Sequence, residues 1–148
     1  MTPWPLTRLV AVDPGDKHVG IAIWDRSLGP GMRSWEQDAE TALGVLEKEF
    51  VVGVQQLVVE KFRLYPDKAG AQSWSPMLTA EMIGALKWMA NLYKIPVCEQ
   101  GASIKKVSRA QCKARGLEWK DPSGHATDAR LHAWYWLMKE KELAGFVQ

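Results

Sequence analysis

The sequence predicts an α/β fold, a five-stranded mixed sheet in which an antiparallel three-strand meander joins two parallel strands, with helices on both faces. Three observations carry this. Short apolar runs with turn residues between them fill the N-terminal part of the chain; from residue 38 onward, runs of helical period alternate with further short apolar runs; and two of the strand-like runs end on a carboxylate.

Leu9 to Val12 is an unbroken apolar run that stops at Asp13, where Pro14-Gly15 marks a turn, so a buried strand ends there. Val19 to Trp24 is a second such run, and the short connection favours an antiparallel hairpin in which Gly15 is expected to cover an unusual backbone angle. A third strand is expected around Met32 to Trp35. Ala39, Ala42, Leu43, Leu46 and Phe50 recur at helical spacing over 38–50, and Gln56 to Glu60 returns as a strand. Residues 61–76, with Pro66, Gly70 and Pro76, read as a long loop of the kind that tends to carry function. A helix from Thr79 to Tyr93 follows, then a strand from Ile95 to Glu99 entered through Pro96, which suits an edge. Ser103 is a candidate cap for a helix reaching Arg115 and ended by Gly116, and Ser123 for a last helix from Gly124 to about Leu143. The crossovers that bring the parallel strands back should be right-handed.

The chain has 148 residues, which suits one domain over 1–148. A hydrophobic fraction of 47% and a charged fraction of 24% exclude a disordered or fibrous design. Neither a secretory segment nor a membrane-spanning run is present, and the two cysteines, Cys98 and Cys112, form no metal-binding or redox pair; a cytoplasmic protein with reduced thiols is expected. The net charge of +2 is too small to name a partner, so the placement of charge has to decide it. Eight tryptophans point to bulky core packing, with base stacking as the other use of such rings.

Asp13 and Glu60 close two strands that, if parallel neighbours, deliver both side chains to one sheet edge. Two carboxylates held together in a half-buried place call for a positive partner, and a hard divalent cation, Mg²⁺ or Mn²⁺, suits oxygen donors. His125 and Asp128, three residues apart near a helix start, share a face and can converge on the same point. Ala126, Ala129 and Ala133 form a stripe of small residues that lets this helix approach the sheet closely. Taken singly, Asp13 reads as a turn former, Glu60 as a solvated strand end, and His125 with Asp128 as helix-end chemistry. Jointly they suit two-metal phosphodiester hydrolysis, with Asp13, Glu60, His125 and Asp128 as ligands and catalytic groups.

A surface for nucleic acid is expected beside this site. Lys105, Lys106, Arg109, Lys113 and Arg115 lie in a stretch free of acidic residues; Lys105, Arg109 and Lys113 recur every four residues as one charged stripe, while Ile104, Val107, Ala110 and Ala114 are assigned to the core. The ordinary reading of such a stripe is a solvated helix face. In the loop, Phe62, Arg63, Tyr65, Lys68 and Trp74 mix aromatic and basic types as a contact to single-stranded or branched DNA would. His18 is expected to face solvent, and His132, seven residues after His125, to serve packing or to support the site from behind.

These motifs, in this order, resemble the RuvC Holliday junction resolvases. Val10-Ala11-Val12-Asp13-Pro14-Gly15 with Gly20 is similar to the family's opening strand and turn, and Leu57-Val58-Val59-Glu60 to its second acidic strand. Glu81-Met82-Ile83-Gly84 resembles the helix after the junction-contacting loop, Ile104-Lys105-Lys106 its basic stretch, and His125-x-x-Asp128 its closing pair. The resemblance implies a ribonuclease H-like fold, two metal ions per site, and a homodimer cutting opposed strands of a four-way junction. A longer loop after Glu60, without a clear counterpart of the family's aromatic wedge, points to a bacteriophage-type member acting on a broader range of branched DNA. Two rivals are a RuvX-type nuclease acting on ribosomal RNA precursors and a non-catalytic nucleic-acid binding module of the same fold. An actin-like phosphate-binding reading of the first turn fails on length, because that design needs two such domains.

Overall fold

The computed structural model describes residues 6–28, 32–62, 74–117 and 124–140, and the backbone alone over 74–76. The elements run β1 (Arg8–Asp13), β2 (His18–Asp25), a 3₁₀ turn at Arg26–Leu28, β3 (Met32–Asp38), α1 (Ala39–Gly53), β4 (Gln56–Glu60), α2 (Trp74–Leu92), β5 (Val97–Gln100), α3 (Ile104–Ala114) and α4 (Gly124–Lys139). The strands form one sheet in the order β3-β2-β1-β4-β5. β1–β2 and β2–β3 are antiparallel, and β1–β4 and β4–β5 parallel. The meander joined to two parallel strands therefore stands as expected.

The alternation of side chains along the strands divides the core in two. Val10 and Val12 of β1, Ile21 and Ile23 of β2, and Leu57 and Val59 of β4 face α1 and α2, where Leu46, Phe50, Ile83 and Leu86 meet them. Leu9, Ala11, Ala22, Trp24 and Val58 point to the opposite side and pack with Ala129, Ala133, Trp134 and Leu137 of α4. Burying a side chain such as Leu46 fully is worth about 1.5–3 kcal/mol. The same parity sends Asp13, in step with Leu9 and Ala11, and Glu60, in step with Val58, to the α4 face.

Several expectations are corrected. α2 begins at Trp74, five residues earlier than the helical period suggested, with Pro76 in its first turn, where a missing N–H is harmless. β5 begins at Val97 and reaches Gln100. Ser103 makes no side-chain cap bond to α3. Gly15 does not take a positive φ; a Cβ there would stand 2.3 Å from the His18 carbonyl oxygen, so close approach is what demands glycine. Gly116, with φ +71°, does end α3 in the left-handed conformation that glycine favours.

The largest correction concerns α3. Its buried residues are Ser108 and Cys112, whereas Val107, Ala110 and Ala114, assigned to the core from the sequence, are exposed. Ser108 explains the rotation: its hydroxyl donates to the Leu131 carbonyl of α4 at 2.6 Å, so a polar residue takes the seat against the neighbouring helix. Ile104 and Lys105 are half-buried on that same side.

Candidate active site

Asp13 stands at the C-terminal end of β1 and Glu60 at that of its parallel neighbour β4, with Val12 opposite Val59 in register. α4 crosses this edge on small residues. Ala126, Ala129 and Ala133 are fully buried, and a Cβ on Gly20 of β2 would lie 1.9 Å from the His125 carbonyl oxygen. Gly20 thus lets the first turn of α4 rest directly on the sheet, and that contact sets His125 and Asp128.

The four residues converge. His125 Nδ1 lies 2.8 Å from Asp13 Oδ2, and the His125 backbone N–H donates to Glu36 Oε2 at 3.4 Å. Lys105 Nζ is 3.0 Å from Glu60 Oε1 and 3.1 Å from Asp128 Oδ2, so one ammonium bridges the two carboxylates. Asp13 is buried, the Glu60 and Asp128 side chains are half-buried, and that of His125 is 42% exposed. The cluster reaches solvent chiefly through His125 and Asp128.

Burial, together with a hydrogen bond to Glu60 and the negative charges of Glu60 and Asp128, pushes the Asp13 carboxyl up to about 9, against a smaller opposing pull from Lys105. Burial also works against ionising Glu60, but the adjoining His132 ring and hydrogen bonds from Asp13 and Lys105 prevail and hold its carboxyl well below the usual carboxylate range. The pair therefore keeps one proton, on Asp13, and one charge, on Glu60. Lys105 is raised because its two carboxylate partners outweigh the effect of its own burial.

This arrangement differs from the sequence reading in Lys105. Expected at the head of an exposed basic stripe, it is half-buried and stands between Glu60 and Asp128 as the cation of the acidic cluster. Lys106, Arg109, Lys113 and Arg115 are exposed. Phe62 is half-buried against the α1–α2 core and walls a groove of about 390 Å³ that opens beside Glu60, with Pro14, Ile83 and Ser103 around it. Arg63, Tyr65 and Lys68 lie outside the described residues, as does the side chain of Trp74. His18 is exposed, 3.8 Å from Asp38.

Two site residues were missed or underplaced. Gln100 ends β5 directly opposite Glu60 in register and is buried; the parity of Cys98, which packs on the α4 side, is the signal that could have found it. His132 is fully buried between Gln100 and Glu60.

The donor chemistry of Asp13, Glu60, His125 and Asp128 fits a hard divalent cation, since three of the four offer carboxylate oxygens and Asp13 is kept protonated by burial beside the negative charges of Glu60 and Asp128. Among the described residues no group of three His, Cys, Asp or Glu side chains is drawn together closely enough to hold an ion as arranged. Cys98 and Cys112 are free thiols. No helix among the described residues is long and apolar enough to cross a membrane.

No family model matches the sequence, and no curated protein does. Solved structures do. A Thermus thermophilus RuvC in complex with a Holliday junction substrate is 17% identical, with a TM-score of 0.60 over 89% of this chain and 96% of that one. A second Thermus thermophilus RuvC structure is 16% identical, with a TM-score of 0.60 over 90% of this chain and 97% of that one. At that identity the likeness is one of fold: this chain has the ribonuclease H-like fold seen in RuvC Holliday junction resolvase structures.

Proposed function

We propose that the protein is a divalent-metal-dependent endonuclease acting on branched DNA, four-way junctions among them. The observation that carries this is the convergence of Asp13, Glu60 and Asp128 around Lys105, with His125 on Asp13, at the C-terminal edge of two parallel strands. Asp13, Glu60, His125 and Asp128 would hold a pair of Mg²⁺ or Mn²⁺ ions, which when bound supply water activation and stabilisation of the leaving oxygen.

The chain's own groups do the rest. Asp13 has to give up its proton to act as a ligand. Lys105 stands where its ammonium can pair with a substrate phosphate once a stronger cation takes its carboxylates. His125, the most exposed of the four, would exchange a proton at the reacting phosphate. Arg109 and Lys113, exposed on α3, would contact flanking phosphates, each adding nearly one unit to the log–log salt slope. The groove beside Glu60 offers room for a nucleotide next to the scissile bond.

A single site cuts one strand, so resolving a four-way junction into ligatable duplexes calls for two copies acting as a homodimer. The longer loop after Glu60 fits a bacteriophage-type enzyme with broad branch preference, working in the cytoplasm of its host.

Synthetic four-way, three-way, flap and duplex DNA, with structured RNA alongside, incubated with Mg²⁺ and with Mn²⁺, tests the proposal. Wild type should cut branched DNA in a metal-dependent way and Asp13→Asn should bind the junction without cutting it. Cleavage of structured RNA alone points to the RuvX-type activity instead. Absence of any turnover leaves a binding module.

A further inference from the structure

His132 sits one helical turn beyond Asp128 on the inner face of α4 and is fully buried. Its Nδ1 lies 2.8 Å from Gln100 Oε1 and its Nε2 3.6 Å from Glu60 Oε1. Nε2 is buried and has no hydrogen-bond partner among the described residues. Leaving such a group unpaired in a core costs about 1–3 kcal/mol, and an apolar side chain of similar size would fill the space without that loss. The histidine therefore needs a reason, and Glu60 is the polar group its free edge faces.

A carboxylate only accepts hydrogen bonds. The amide of Gln100 can present either its oxygen or its NH₂ to Nδ1, the two ends being alike in shape. With the NH₂ donating to Nδ1, the neutral ring carries its hydrogen on Nε2, aimed at Glu60, and a small rotation of the carboxylate closes the gap. Glu60 Oε1 is then held from the interior by His132 and from the solvent side by Lys105. The two contacts differ in one respect. Lys105 can be drawn off by a phosphate, whereas His132 is locked by burial and by Gln100.

We infer that His132, set by Gln100, is a positioning residue that fixes the Glu60 carboxylate for metal binding and cleavage. The inference rests on the reading of Glu60 as part of a nuclease site.

The test uses the full chain with three measurements: thermal unfolding, calorimetric titration with Mn²⁺, and single-turnover cleavage of a four-way junction. His132→Leu should lower both Mn²⁺ affinity and cleavage rate about 10–100-fold, as loss of a group orienting a ligand does, and should lower the melting temperature by stranding the Gln100 amide. His132→Gln, whose amide can donate across the same gap, should recover part of the affinity. The double variant Gln100→Leu/His132→Leu removes both polar partners, so it should regain melting temperature while Mn²⁺ affinity and cleavage stay low. Recovery of all three in the double variant, or wild-type affinity in His132→Leu, overturns the inference. If wild type binds Mn²⁺ but cuts no branched DNA, the nuclease reading falls while the affinity comparison still decides the role of His132. A wild type that binds no Mn²⁺ overturns both.

Discussion

The two faces of this sheet share the same strands and are built for opposite ends. Toward α1 and α2, β1 and β4 present Val10, Val12, Leu57 and Val59 to an aliphatic layer. Toward α4 the residues in between lead to Asp13, Glu60 and Gln100, and the helix above them approaches on glycine and alanine. One face maximises burial. The other gives up bulk at its edge so that charged groups can meet, and it leaves one carboxyl protonated and one imidazole edge unpaired. The difference teaches that a one-residue step along a strand separates core from chemistry.

Substitutions on the two faces should therefore part stability from activity. Leu46→Ala, on α1, should lower unfolding free energy by about 2–5 kcal/mol in denaturant titrations, while the protein that remains folded cuts junctions at the wild-type rate. Gly20→Ala should lower stability by about 1–3 kcal/mol, because its Cβ would drive into the His125 carbonyl, and cleavage should fall far more than stability does. An equal effect on both properties in either variant breaks the contrast. Gly44→Ala tests the other sign: on the exposed side of α1 a Cβ meets nothing within 4 Å, so stability should rise by about 0.5–1 kcal/mol through helix propensity alone. Smallest of all, Arg109→Ala and Lys113→Ala should each flatten the salt dependence of junction binding by about one unit of log–log slope, with melting temperature unchanged.

The sequence displayed the sheet because hydrophobic runs, turns and helical periods are local. Val10 to Asp13 and Leu57 to Glu60 are legible as strands ending on carboxylates, and the alanine stripe of α4 does bring that helix onto the sheet. The rotation of α3 was not legible, because the side that meets α4 is marked by Ser108, whose hydroxyl donates to Leu131, 23 residues away, a contact that spacing does not show. Lys105 followed the rotation out of the surface stripe and into the acidic cluster. Gln100 escaped notice because a polar strand end resembles a solvated one until its cross-strand neighbour is known. Gly15 was assigned to a backbone angle when the constraint is the nearby His18 carbonyl, a contact that spacing alone does not show.

On the α4 face, burial beside Glu60 and Asp128 holds Asp13 against its own ionisation, as the proposed cation site requires of the metal-free protein. In the metal-free protein burial beside Glu60 and Asp128 pushes its carboxyl up to about 9, against about 3.9 in an unfolded chain. Between those values the folded state binds the extra proton, so this group's contribution to stability is present at low pH and is lost as pH rises toward 9. Melting temperature measured from pH 5 to pH 9 without divalent metal, for wild type beside Asp13→Asn, tests this directly, with junction cleavage in Mg²⁺ read on the same samples. Wild type should lose stability across the window more steeply than the variant, and the variant should be the more stable chain at pH 8 yet cut nothing. Parallel pH profiles, or wild-type cleavage by Asp13→Asn, would contradict it.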